Sequence, residues 1–326
     1  LFRSEPKLLT RELWVADAMP LFEALSSPVA NRMSEALAQN LRDNAPEELA
    51  SILGNAGGLM RSAGGALFAM QLGQALGKLS AEVISGGDIG LPIFQDQRVV
   101  FVPQNLEAFI TGLEVDVEEA YIYLAVREMA HTRLFKHSKW LRDAIVGQIS
   151  NYASGIKIDN ERINEIAEDF SATNPEELKR ALETGAFIAA RTDEQQLALD
   201  RIETMLALIE GWVDVVTEDS TKLLPKAAAI GEAVRRRRAT GGPAEQTFGT
   251  IVGLELRPRK LREAAALWRK IGSEVGIEKR DSLWNHPDLV PSSDDITNPT
   301  GLIAKLKGNG ESGDEMDRAL RDLLGE

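Results

Sequence analysis

Three observations predict a mainly α fold, with many helices around a central motif helix and a small β-sheet. Apolar residues recur at helical spacing through most of the chain. Arg98 to Pro103 is the clearest strand, being short, β-branched and closed by proline. Residues 116–135 form a strong helical pattern, with Asp116, Glu118 and Glu119 placed where the macrodipole favours negative charge.

Along the chain, residues 11–25 and 28–42 read as two amphipathic helices, the second started by Ser26, Ser27 and Pro28. Residues 58–84 read as a long helix ended by Gly86 and Gly87. Its glycines suit close helix packing, and Arg61, Gln71, Gln74 and Lys78 interrupt it too often for a bilayer span. Helices follow over 104–112, 116–135, 139–154 and 159–170, and another starts at Asn174 and Pro175. Residues 194–219, 225–238 and 258–275 are the last predicted helices. Beyond them Pro287, Pro291, Pro299 and Gly301 break the pattern, and 308–313 reads as a flexible linker. The expectation is one domain over 1–286 with a loosely attached tail over 287–326.

The 326 residues carry a net charge of −13, which disfavours a general nucleic-acid binder. With no cysteine, disulfides, thiolate nucleophiles and cysteine–zinc sites are excluded. A metal site would have to draw on His131, His137 and His286 together with carboxylates. The first residues show no charged region followed by an apolar one, so a cytoplasmic location is expected.

The informative segment is Arg127, Glu128, Met129, Ala130 and His131. In an H-E-x-x-H helix the two histidines stand about 40° apart on one face, so both reach one zinc, and the glutamate acts as general base. Here Glu128 and His131 hold the second and last positions, and Arg127 holds the first. Arginine has donors only and cannot ligate a metal. Two readings of His131 stay open: a metal ligand, or a hydrogen-bonded histidine on a core-facing helix. Two also stay open for Arg127: a fixed cation standing in for a metal beside buried carboxylates, or an exposed side chain. His137 follows His131 by six residues, a spacing used for a third ligand where a glycine turns the chain. Leu134 holds that place, and in a continuing helix His137 would point about 120° away. It therefore reads as a third ligand or as a surface histidine.

A resemblance is carried by several segments together. They are Gly73 to Ser80, Gly90 to Pro92, Val99 to Asn105, Arg127 to His131 with Trp140 and Leu141, Glu210 to Val216, Arg235 to Pro243, and Leu254 to Arg262. The chain resembles an actinobacterial zincin-like family labelled as hydrolases, related to zinc-dependent metalloprotease-like proteins associated with deazaflavin-coenzyme biosynthesis. The resemblance implies a zincin-like fold, Glu128 as catalytic base, and His131 and Glu210 as metal ligands. Arg127 and Asp214 enter as candidate cofactor-binding residues. It is closest to the branch lacking the first histidine of the motif.

Other motifs carry less. One Glu-x-x-His does not make a di-iron bundle, which needs two. No G-x-S-x-G elbow is present, and Gly73 to Lys78 is one residue short of a P-loop. Arg235–Arg238 reads as a solvated helix end or as an anion-binding patch. The functional expectation is a binding or scaffolding protein with a degenerate metalloprotease-like site and a protein or peptide partner. The rival is an active metal-dependent hydrolase using His131, Glu210 and either Glu128 or His137, with zinc as its cofactor.

Overall fold

The structure, a computed structural model, describes residues 6–43, 65–66, 68–157, 159, 189–239, 249, 254 and 260–308. The predicted helix over 159–170, the helix start at Asn174 and the linker over 308–313 fall outside these residues, apart from Asp159 and Gly308.

The mainly α expectation holds. The helices are α1 (Arg11–Asp43), α2 (68–80), α3 (Pro103–Thr111), α4 (Val117–His137), α5 (Lys139–Gly155), α6 (Asp193–Thr221), α7 (Ala227–Ala239), α8 (Leu261–Val275), α9 (Ile277–Ser282) and α10 (Ser293–Thr297). Residues 300–308 are also helical. Among the described residues the sheet is one parallel pair, β1 (Lys7–Leu8) with β2 (Val100–Phe101), extended on its other side by an antiparallel bridge from Ser85 to Phe101. The predicted strand is therefore present, and β1 is an addition.

The first two predicted helices are one. Pro20 and Pro28 lie inside α1, and the serines before Pro28 do not start a new helix. Instead the hydroxyls of Ser26 and Ser27 donate back to the Glu23 carbonyl, the Ser27 bond at 2.6 Å. Leu21, Phe22, Leu25 and Val29 are buried on one face that packs with α5, and this holds the helix in register across the proline.

Helix α6 is the hub, packed by α4, α5, α7 and α8. Thr192 and Gln195 close a capping box at its start, satisfying end donors that a helix cannot satisfy itself. Its crossing with α8 is close because position 211 is glycine. A Cβ there would lie 2.7 Å from the Ala265 nitrogen and 2.9 Å from the Ala264 carbonyl carbon. Trp268, fully buried on α8, donates its indole N–H to the Leu208 carbonyl at 2.8 Å and stacks on Trp284.

Among the described residues the apolar interior falls into two clusters. The larger gathers α1, α2, α5, α6 and α8, and Ile296 and Ile303 join it from the C-terminal stretch. The smaller gathers Ile84, β2, α3, the first half of α4 and α7. Helix α4 bridges them: Ala120, Tyr123 and Leu124 belong to the smaller cluster, and Ala130, Leu134 and Phe135 to the larger. Among the described residues no helix is long and apolar enough to cross a membrane.

The crossing at Gly211 predicts that Gly211→Ala lowers stability by about 1–3 kcal/mol, because the obstruction is backbone that cannot step aside. Urea unfolding measures it, and an unchanged midpoint would contradict the close crossing.

Candidate functional site

The site lies at the seam between the two clusters. One face of α4 presents Arg127, Glu128 and His131 there, at the i, i+1 and i+4 positions that a helix turns toward one neighbour. Asp116 caps the helix start, accepting from the Glu118 and Glu119 nitrogens at 2.9 and 3.2 Å. Glu119 then accepts from Lys226 N at 2.8 Å and ties α4 to the segment leading into α7.

Glu210, in the middle of α6, is fully buried and meets two guanidinium groups. Arg127 Nη2 donates to its Oε2 at 2.5 Å. Arg238 Nη2 stands 2.9 Å from its Oε1 as an ion pair without hydrogen-bond alignment. Arg238 comes from the end of α7, as do Arg235, which pairs with Asp214 at 3.2 Å, and Arg237, which reaches both oxygens of Asp88 at 2.8 Å. The expected solvated helix end is thus corrected for three of these arginines. They turn inward because α7 packs on α4 and α6 with its basic end over buried acids, and Arg236 alone of the run is exposed.

A turn from Ser85 to Gly90 covers the α4 residues. Gly87 N donates to Glu128 Oε2 at 2.9 Å. A Cβ at Gly87 would lie 2.5 Å from the His131 ring, and one at Gly86 would lie 3.0 Å from Glu128 Oε1. Gly90 has φ +75°, and a Cβ there would meet Arg238 and Glu210, each at 2.9 Å. Only a chain without side chains can approach this closely. Asp88 fastens the turn, taking Arg237 on its carboxylate, Ile84 N on Oδ2 at 2.9 Å and Arg238 on its backbone oxygen.

Burial sets the electrostatics. It pushes the Glu128 carboxyl up to about 7, against the lowering effect of Ser85 and of the Gly87 and Val100 backbones. It pushes His131 down to about 4; Arg127 and Arg238 add to this, and Glu210 and the Gly90 backbone oppose it. His131 is therefore neutral at pH 7, and its buried Nε2 has no hydrogen-bond partner among the described residues. Burial opposes the charge on Arg127, but Glu210 outweighs it and raises the guanidinium above its ordinary value. For Asp88, burial acts upward, and Arg237 and Arg238 win, holding it below the usual carboxylate range. Chemically, the pair can exchange a proton at Glu128 near neutral pH beside an uncharged imidazole.

Arg127, Glu128, His131 and Glu210 are thus brought together around one turn. Asp214 sits one helical turn along α6 from Glu210, buried with Arg235 and 3.6 Å from Arg269. His137 is exposed at the end of α4, 3.1 Å from Asn285, and takes no part in the cluster. Sequence reading missed Arg238, Asp88, Gly87 and Gly90. The only signal was a basic run and a glycine-rich turn far apart in the chain, with nothing to pair them.

The arrangement does not fit a zinc ion. Both Glu210 oxygens face guanidinium groups, Glu128 is taken by a backbone N–H, and Arg127 has only donors. Among the described residues, no three histidine, aspartate or glutamate side chains converge as a ligand set.

The two shifted groups predict opposite pH dependences. Glu128 holds its proton more tightly when folded, so its contribution is full below about 4.5 and is lost as pH rises through about 7. The stability of wild type relative to Glu128→Gln should therefore fall by up to about 3 kcal/mol between those limits. His131 resists protonation when folded, so wild type relative to His131→Asn should lose stability as pH falls from about 6.5 to about 4. Denaturant unfolding across pH checks both, and differences independent of pH would contradict the burial of these groups.

A family model described as zincin-like metallopeptidase matches residues 3–303. Among solved structures, a protein of Chloroflexus aurantiacus, provisionally titled a hydrolase with a novel fold, is similar at a TM-score of 0.56 and 20% identity. The match covers 93% of this chain and 80% of that one. At that identity the likeness speaks for the fold. A search of curated proteins finds no match. With the family model spanning nearly the whole chain, the protein belongs to the zincin-like metallopeptidase family.

Proposed function

We propose that this chain is a zincin-fold protein whose site is degenerate, acting as a binding or scaffolding module for a protein or peptide and not as an orthodox zinc peptidase. The observation that carries this reading is the 2.5 Å contact from Arg127 to Glu210. Arg127 stands at the first histidine position of H-E-x-x-H, and Glu210 at the third-ligand position that the resemblance implies. A guanidinium there supplies the positive charge that a metal would bring, and it satisfies a buried carboxylate that would be costly unpaired. Arg238 reinforces this from the other side of the same carboxylate. The fold, the motif helix and the buried acid–base pair are then retained for shape and recognition.

A second reading, a metal-dependent hydrolase with altered ligands, draws on one observation. Burial pushes the Glu128 carboxyl up to about 7 beside His131, whose buried Nε2 has no hydrogen-bond partner among the described residues. That arrangement suits proton transfer.

Calorimetric zinc titration separates the two. Wild type should bind zinc negligibly. Arg127→His restores two histidines to one helical face and should bind at least about tenfold more tightly. Arg127→His with Arg238→Gln should bind more tightly again, since Glu210 is then free of both cations. Stoichiometric zinc on wild type, lost in His131→Ala and Glu210→Gln, would overturn the proposal in favour of the hydrolase.

A further inference from the structure

We propose that the turn Gly86–Asp88 is a removable plug over Glu128 and His131, latched by Asp88 to the arginines of α7, and that the site engages its ligand with the plug withdrawn. The proposal takes from the preceding section only that Glu128 and His131 are the business end of the site.

Three features support it. The turn enters the site with backbone alone: Gly87 N meets Glu128, and the bare α-carbons of Gly86 and Gly87 lie against Glu128 and the imidazole. Gly86 and Gly87 bring no side chain; the Ser85 hydroxyl, which also acts on Glu128, and the Gly86 N–H, which donates to the Val100 carbonyl at 3.0 Å, are the further contacts that break when the turn leaves. The turn also hangs between two anchors in different clusters, Ile84 in the smaller and Ile89 in the larger. Gly90, in the left-handed region, gives the second anchor a natural pivot. Between the anchors its ties to α7 are polar: the Asp88 carboxylate on Arg237 and the Asp88 carbonyl on Arg238.

The closed state also carries a cost that opening removes. Among the described residues His131 Nε2 is buried with no hydrogen-bond partner, and Glu128 is buried as well. Withdrawing the turn would give both groups water or a ligand. The latch offsets that cost, so loosening the latch should release the plug. A ligand offering one hydrogen-bond donor to Nε2 and a second to replace the Gly87 N–H at Glu128 would hold the plug open, and two backbone N–H groups of a peptide have this chemistry.

The test uses the three histidines of the intact chain. Diethyl pyrocarbonate, followed by peptide mass spectrometry, should modify the exposed His137 and His286 quickly and His131 slowly in wild type. In Asp88→Asn, His131 should react at least tenfold faster, with His137 and His286 unchanged. Native-state hydrogen exchange of wild type gives an independent reading that needs no variant. The Gly87 and Gly90 amides should exchange through a local opening, with weaker denaturant dependence than the amides of α6. A His131 rate unchanged in a folded Asp88→Asn, or exchange at Gly87 only through global unfolding, would overturn the plug. Neither readout involves zinc, so the plug can fail while the degenerate-site reading stands, and the reverse.

Discussion

A fully buried carboxylate held between two arginines is the constraint on which this structure turns. Glu210 lies at the centre of the hub helix, where an unpaired charge would cost several kcal/mol. Arg127 reaches it from α4 and Arg238 from α7, so one ionic cluster ties three helices at the depth where apolar packing is divided into two clusters. Gly211, the next residue, lets α8 close against the same stretch of α6. Around that point the chain has little freedom: removing the carboxylate strands two guanidinium groups, and adding a methyl group collides with backbone.

The same cluster governs the neighbouring acid–base groups. Two guanidinium groups beside His131 work with burial to keep the imidazole neutral, and Glu128 is left to solve its burial by holding a proton near pH 7. Asp88 behaves in the opposite way, since Arg237 and Arg238 overcome its desolvation. These two carboxyl groups thus differ because arginines reach Asp88 and burial dominates at Glu128. The chemistry available follows from that placement: a proton that can come and go at Glu128, a neutral ring nitrogen, and a carboxylate paired with two guanidinium groups.

Much of the fold was legible in the sequence, because helical periodicity and capping are local. The motif helix over 116–135 matches α4, with Asp116, read as part of the acidic first turn, standing one residue earlier as its cap. The strand at Val99–Val102 matches β2. The break at Pro28 misled, because proline is a local stop signal and the burial that overrides it is tertiary. Glu128 and His131 could be read from helical spacing, and Glu210 from resemblance. What could not be read was pairing. A run of four arginines names no partners, and the inward turn of Arg235, Arg237 and Arg238 is decided by how α7 docks on α4 and α6. The glycines at 87 and 90 marked a turn, but the side chains they admit belong to helices 41 and 120 residues further on.

The central claim is that Arg127 and Glu210 form one electrostatic unit. A double-mutant cycle measures that most directly, using Arg127→Met, Glu210→Gln and the double variant with unfolding free energies at pH 7. Glu210→Gln should cost about 3–5 kcal/mol, because buried guanidinium groups lose their carboxylate, and Arg127→Met somewhat less, because Arg238 still pairs with Glu210. The double variant should cost clearly less than their sum, giving a coupling of at least about 2 kcal/mol. Costs that add within about 0.5 kcal/mol would mean that the two side chains are neighbours without being partners, and would contradict the account.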